Sequence, residues 1–389
     1  MFLRSSLGRL QHMAQRRVAT AAATGETSDS IRSTLIPSDY RTAESNVAAQ
    51  TKVHEAKFYT IPPDVKKQLF SGGGFTKLFE NQIKTFTETC LMIRPSALEV
   101  LEYIRNTDFA KPTVRYVVYG ENGVGKSLML AHVVHFGYQN GFVLVHVPWV
   151  PNWMKRPKEI TNVSEGGFID LPFDAAAWLL HFKNQNSKLL TELDLKTSKD
   201  YIWSKREATS AGSTLSELIE HGISRIKFAS GTIAALLAEL KLHATAGHCK
   251  VMVAIDGFNA FFHPETRILT DNKQRVTPDR VTLTQPFLDL TNYDWINGVC
   301  VLVVDKIGMT EGFMESYMPR YLLGRNGFEH LDPFVPIAVQ NYTDKEFHTC
   351  IQYYLDRHWI QKTPEGFDEQ LKHLSNKNPY NLMQITRSL

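Results

Sequence analysis

Residues 119–129 read YGENGVGKSLM, and the fold is read outward from them. Gly120, Gly125, Lys126 and Ser127 fill the pattern G-x-x-x-x-G-K-[ST], in which a glycine-rich turn wraps its amides around a phosphate. VRYVVY (114–119) precedes the turn as a short apolar run without alternation, as expected for a strand buried on both faces. The residues from Lys126 to about Tyr138 carry helical spacing, so the positive N-terminal end of a helix faces the anion. Lys126 is placed to reach the β- and γ-phosphates, and the Ser127 hydroxyl suits Mg2+. The predicted cofactor-binding loop is Gly120, Glu121, Asn122, Gly123, Val124, Gly125, Lys126, Ser127 and Leu128.

Four further Val/Ile-rich runs follow: FVLVHV (142–147), VMVAI (251–255), VCVLVV (299–304) and VPIAV (335–339). Between them lie helical patterns over Phe173–Leu193 and two more between Thr214 and Ala246. Strands alternating with helices give an α/β fold. The expectation is a P-loop NTPase with a five-stranded, mainly parallel sheet covered by helices, AAA-like, over residues 75–342. Within it, Phe75 to about Arg105 reads as helical after a GGG turn at 72–74. Residues 343–389 read as a C-terminal helical lid, opened by the capping box Thr343…Glu346.

A P-loop needs a carboxylate elsewhere to hold Mg2+, and Asp256, ending VMVAID, is the expected metal-side acid together with Ser127. P-loop ATPases of the AAA type usually place a water-activating Glu next. Here Gly257 follows, so hydrolysis is expected to be slow at most. Asp305, at the end of the fourth strand, either meets a γ-phosphate through water or stands away as a repelled carboxylate. Glu121 is a weak second acid, expected to face solvent. The residues themselves do not separate ATP from GTP.

The composition is that of a cored globular protein, 43% hydrophobic and 21% charged over 389 residues. A net charge of +3 does not mark a nucleic-acid binder, so RNA contact would fall to local patches such as WMKRPK (153–158) and KDYIWSKRE (199–207). The four cysteines, with no C-x-x-C pair, read as free thiols in a reducing compartment. No run is apolar and long enough to span a membrane. The N-terminus carries Arg4, Arg9, Arg16 and Arg17 before its first acid, Glu26, with Leu3, Leu7 and Leu10 at helical spacing. Residues 1–20 therefore read as a mitochondrial transit peptide, and 21–74 as an arm outside the fold.

Four segments carry a resemblance: RYVVYGENGVGKSLMLAHVVHF, DYIWSKREATSAGSTLSELIEHGISRI, VMVAIDGFNAFF and LLGRNGFEHLDPFVPIAVQNYTDKEFHTCIQYYLDRHWI. Over about residues 75–380 the chain resembles the death-associated protein three family, GTP-binding P-loop proteins of the mitochondrial small ribosomal subunit. The resemblance implies a matrix location, GTP or GDP with Mg2+, and partners among small-subunit proteins and rRNA, with large-subunit proteins across the interface. It also carries a link to apoptosis. It transfers the nucleotide site to Gly120, Gly123, Gly125, Lys126, Ser127 and Asp256.

Two functions of different class follow. One is a structural ribosomal protein holding a nucleotide as a folding or assembly element, which needs no general base. The other is an active matrix NTPase acting as an assembly switch, which Gly257 disfavours.

Overall fold

The structure, a computed structural model, describes residues 40–163, 167–270, 272–308 and 315–387. The expected transit peptide and the first part of the arm, residues 21–39, lie outside the described residues. The chain enters through β1 (Phe58–Thr60), α1 (Pro63–Phe70), α2 (Lys77–Phe86), β2 (Cys90–Met92) and α3 (Pro95–Arg105). Strand β3 (Val114–Tyr119) leads through the glycine turn into α4 (Lys126–Gln139), then β4 (Phe142–Val147) and α5 (Pro151–Lys155). Next come the short pair β5 (Thr161–Asn162) and β6 (Ile169–Asp170), α6 (Pro172–Leu193), the hairpin β7 (Tyr201–Ser204) and β8 (Glu207–Thr209), α7 (Leu215–Ser224) and α8 (Ala229–Thr245). The core resumes with β9 (Lys250–Asp256), α9 (Thr284–Leu290), β10 (Gly298–Val303), α10 (Pro319–Leu331) and β11 (Val335–Ala338). Three helices close the chain: α11 (Asp344–Asp356), α12 (Phe367–Ser375) and α13 (Pro379–Thr386).

The central sheet has the order β11-β3-β10-β9-β4, and every neighbouring pair is parallel. Strands β3, β4, β9 and β10 are buried along nearly their whole length because helices cover both faces, whereas β11 at one edge buries only Ile337. Successive residues of β3 feed opposite layers: Val117 packs in one apolar cluster, Tyr116 and Val118 in the other. Register decides where the chemistry collects. Val303 lies opposite both Val118 and Asp256, so the phosphate loop after β3, the end of β9 and the exit of β10 leave the sheet at one edge. That carboxyl edge is where open parallel sheets bind ligands.

Two expectations need correction. Residues 40–74 are not an arm outside the fold, since one compact unit runs from Tyr40 onward. Val47 is fully buried, and Arg105 donates to the carbonyls of Val47, Ala48 and Gln50 at 3.1–3.2 Å. The stretch from Phe75 to Arg105 is two helices rather than one, because Thr87 turns left-handed (φ 58°) and ends α2. The released chain then pairs as β2 with β1, Tyr59 opposite Leu91. A further apolar cluster joins this small sheet to the C-terminal helices, with Phe58, Met92, Phe347 and Tyr354 in it. The capping box at Thr343 and Glu346 opens α11 as the sequence suggests.

All four cysteines are free and buried. Among the described residues no helix is long and apolar enough to cross a membrane.

Candidate nucleotide site

The glycine turn sits between β3 and α4, and α4 starts from Gly125 in the left-handed conformation (φ 95°). At Gly123 (φ 82°) a side chain is excluded twice: the backbone is left-handed, and a Cβ would stand 2.6 Å from Cβ of Tyr380. The C-terminal helix is thus seated directly on the loop. Tyr380 donates its backbone N–H to Gly123 O at 3.1 Å, and Asn378 Nδ2 donates to Asn122 O at 3.0 Å.

Lys126 is buried, with its ammonium turned into the loop. It donates to Gly120 O at 3.0 Å and Glu121 O at 2.7 Å and pairs with Asp305 Oδ2 at 2.8 Å. Asp305 therefore stands against the lysine of the glycine loop and is not a distant carboxylate. Asn259 fixes it, accepting the Asp305 N–H at 3.0 Å and donating to the Asp305 carbonyl at 2.9 Å. No local pattern in the sequence marks Asn259, whose partner lies 46 residues away. Val124 is buried and Leu128 half-buried, whereas Glu121 and Asn122 face solvent.

Asp256 is buried at the same edge, and its Oδ1 has no hydrogen-bond partner among the described residues. Burial pushes its carboxyl up to about 7; Asp305 adds to the rise, while Ser127, Lys126 and the Gly257 amide pull the other way. An orphaned carboxylate oxygen beside a serine hydroxyl suits a hard divalent cation, which prefers oxygen donors and would stabilise the charged form. The residues present thus fit Mg2+, with Ser127 and Asp256 as the holders.

A cavity of about 810 Å3 opens on this edge, within the usual range for a nucleotide-sized ligand. Asn122 to Met129 line it, with Asp256 and Asp305 in its wall. Arg94, which no local pattern in the sequence marks, ties the loop to the rest of the molecule. It donates to Val124 O at 2.5 Å and Gln340 O at 2.9 Å, and pairs with Glu346 at 2.7 Å.

The position after Asp256 is closed. Gly257 has φ 71°, and a Cβ there would stand 2.5 Å from Cδ of Pro151. No glutamate can occupy this position without moving α5.

The two basic stretches fare differently. Trp153, in WMKRPK, is buried in the core against Phe287, so it is no stacking platform. In the β7/β8 hairpin Lys205 and Arg206 are exposed at the turn, while Trp203 stacks on His221 and donates Nε1 to Thr209.

The all-parallel sheet, with a glycine turn capping the helix after its β3 strand and an acid ending β9, defines an α/β protein of the P-loop NTPase fold. Residues 91–385 match the family described as mitochondrial ribosomal death-associated protein 3, and the chain belongs to that family. It is accordingly a mitochondrial protein of the matrix. It is 39% identical over 345 residues to the small ribosomal subunit protein mS29 of Bos taurus, covering 87% of this chain and 85% of that protein. The mS29 of Mus musculus is 37% identical over 354 residues, covering 90% and 89%. Among solved structures, a Walker-type ATPase of Pyrococcus abyssi aligns with TM-score 0.41 and 13% identity, over 75% of this chain and 65% of that one.

Proposed function

We propose that this protein is a structural component of the mitochondrial small ribosomal subunit that holds a guanine nucleotide with Mg2+ in its P-loop and hydrolyses it slowly if at all. Its relatives' names supply the ribosomal role, and small-subunit proteins and rRNA are the partners that role requires. Large-subunit proteins across the interface are further partners on this reading, and the Arg-rich N-terminus serves as the import signal.

The observation that carries the nucleotide reading is the shared edge. Loop amides, Lys126, Ser127 and the unsatisfied Asp256 Oδ1 all border one cavity. When bound, the metal supplies charge neutralisation for the phosphates. The chain's own residues then bind and orient: the loop's N–H groups grip, Lys126 exchanges its carbonyl partners for phosphate oxygens, and Asn259 keeps Asp305 in place. Slow hydrolysis is supported by Gly257, whose closed position leaves no room for a water-activating glutamate. A ligand bound only by the folded chain stabilises it by mass action, about 4 kcal/mol at a thousandfold excess over Kd.

The test is to denature natively purified protein, identify the released nucleotide by chromatography, and measure turnover. Stoichiometric GTP or GDP, with turnover well under about one per second, is the expected result. An adenine nucleotide would overturn the guanine assignment, and enzyme-like turnover would favour the NTPase switch.

A further inference from the structure

The phosphate groups bind at one end of the cavity, and the topology fixes where the rest of the nucleotide must lie. β3 separates two sides of the loop. On one side β10 and β9 deliver Asp305 and Asp256; on the other β11 leads into the C-terminal helices. With the terminal phosphates on the acid side, the nucleoside extends toward α11 and α13. Helix α2 borders that compartment: its Phe86 packs edge-on against Tyr354 of α11, ring centroids 6.0 Å apart. Phe79 and Gln82 of α2 line the cavity with Met92, Tyr354 and Met383.

Gln82 is the exception in this apolar wall. It is 7% exposed, one helical turn before Phe86 on the same face, and its amide has no hydrogen-bond partner among the described residues. A buried amide without a partner costs free energy, and nearly all such groups in folded proteins are satisfied by something. Its side-chain N and O are not sealed in packing but open to the cavity, so its partner, water or a ligand group, comes from the cavity.

We propose that Gln82 reads the nucleobase: its side-chain amide, one donor and one acceptor side by side, hydrogen-bonds the edge of a purine lying among Phe79, Met92, Tyr354 and Met383. This deepens the nucleotide reading given above and rests on it. A purine edge carries the matching pair of exocyclic and ring groups, whereas Phe79, Met92 and Met383 supply only apolar contact and shape, and the Tyr354 hydroxyl is already engaged with Cys350. Gln82 is then the polar determinant that distinguishes a base with exocyclic groups from one without.

The experiment measures binding of GTP, purine riboside triphosphate and inorganic tripolyphosphate, each with Mg2+, to the full-length protein and to Gln82→Met and Gln82→Leu. Methionine preserves volume without hydrogen-bonding capacity, and leucine guards against an idiosyncratic packing fault. The expected result is that both variants bind GTP about tenfold more weakly, the loss of roughly one or two hydrogen bonds. Purine riboside triphosphate, which lacks the exocyclic groups, binds wild type and variants alike, and tripolyphosphate is unaffected. Wild-type-like GTP binding by the variants overturns the role of Gln82 and leaves the phosphate site standing. Equal weakening of all three ligands also overturns it, since that reports a structural role. Failure of the wild type to bind either triphosphate or tripolyphosphate overturns the phosphate site and the base reading together.

Discussion

Nζ of Lys126 lies 2.8 Å from Oδ2 of Asp305, so the lysine that would grip a phosphate is already held by a carboxylate. An incoming anion must take Lys126 from that partner and from two loop carbonyls. Two substitutions separate these effects. Lys126→Ala removes the cation that binds phosphate, and nucleotide affinity is expected to fall about 10- to 100-fold, as for loss of charge-assisted hydrogen bonds. The nucleotide-dependent rise in Tm disappears with it. Asp305→Asn removes the competing charge, and binding of nucleotide without Mg2+ is expected to tighten by roughly three- to tenfold. Titration calorimetry on the three proteins checks both, and weaker binding by Asp305→Asn would show that the carboxylate assists the ligand.

The buried histidines make the fold sensitive to acid. His146 meets His181 at 3.1 Å and Gln185 at 3.1 Å, and His132 meets Gln50 at 2.8 Å. Burial lowers His132 to about 3, His135 to about 4 and His181 to about 4, and carries His146 well below its ordinary value. The folded chain therefore binds fewer protons than the unfolded one. The contribution of these rings is fully present above about 6.5 and drains away as pH falls toward about 4. Between pH 6.5 and 5.5 each ring is expected to remove about 1 kcal/mol of stability. Urea denaturation at several pH values reads the slope, and His181→Gln should shallow it by one proton. A flat profile over that range would contradict the buried neutral rings.

The five core strands, the phosphate loop and Asp256 are legible in the sequence because each is written locally, as a short Val/Ile run, a glycine spacing or an acid ending a strand. Arg94, Asn259 and Asn378 are not, because each acts on a partner far away in the chain, and Gln82 is not, because only the fold sets it at the cavity wall. Arg94 meets Glu346 across 252 residues, and Asn378 meets Asn122 across 256. Residues 40–74 look like linker because their polar composition hides a few anchoring contacts, such as buried Val47 and the Gln50–His132 hydrogen bond. The WMKRPK stretch misleads in the opposite sense. Its charges suggest surface, but Trp153 and Met154 point into the core.

The Arg94–Glu346 pair is buried on both sides, and Glu346 also caps α11. Removing one partner leaves an uncompensated charge under the phosphate loop, so Arg94→Met is expected to cost about 3–5 kcal/mol. Replacing both, as Arg94→Met with Glu346→Leu, removes the stranded charge and should be milder than the two single losses combined. A double-mutant cycle in guanidinium checks this. Because Arg94 also donates to Val124 O, the single variant is expected to weaken nucleotide binding even at temperatures where it remains folded. Unchanged affinity would mean that the loop holds its shape without the Arg94 hydrogen bond.

Gly257 offers the sharpest test of whether the proposed nucleotide is held or cut. An ATPase of this fold would carry a glutamate here, so Gly257→Glu is the obvious attempt to install hydrolysis. The local geometry argues against success. The residue sits at φ 71°, and its Cβ would stand 2.5 Å from Pro151 and 3.1 Å from Trp149. Left-handed strain alone costs a bulky residue on the order of 1–3 kcal/mol, and moving α5 adds to it. Gly257→Ala should already lower Tm, and Gly257→Glu should lower it further without raising single-turnover hydrolysis above wild type. If Gly257→Glu folds normally and hydrolyses its nucleotide, the site needs only one acid to become an enzyme. If it loses stability and stays inert, low turnover comes from how closely α5 packs against the end of β9, a feature that a single substitution does not undo.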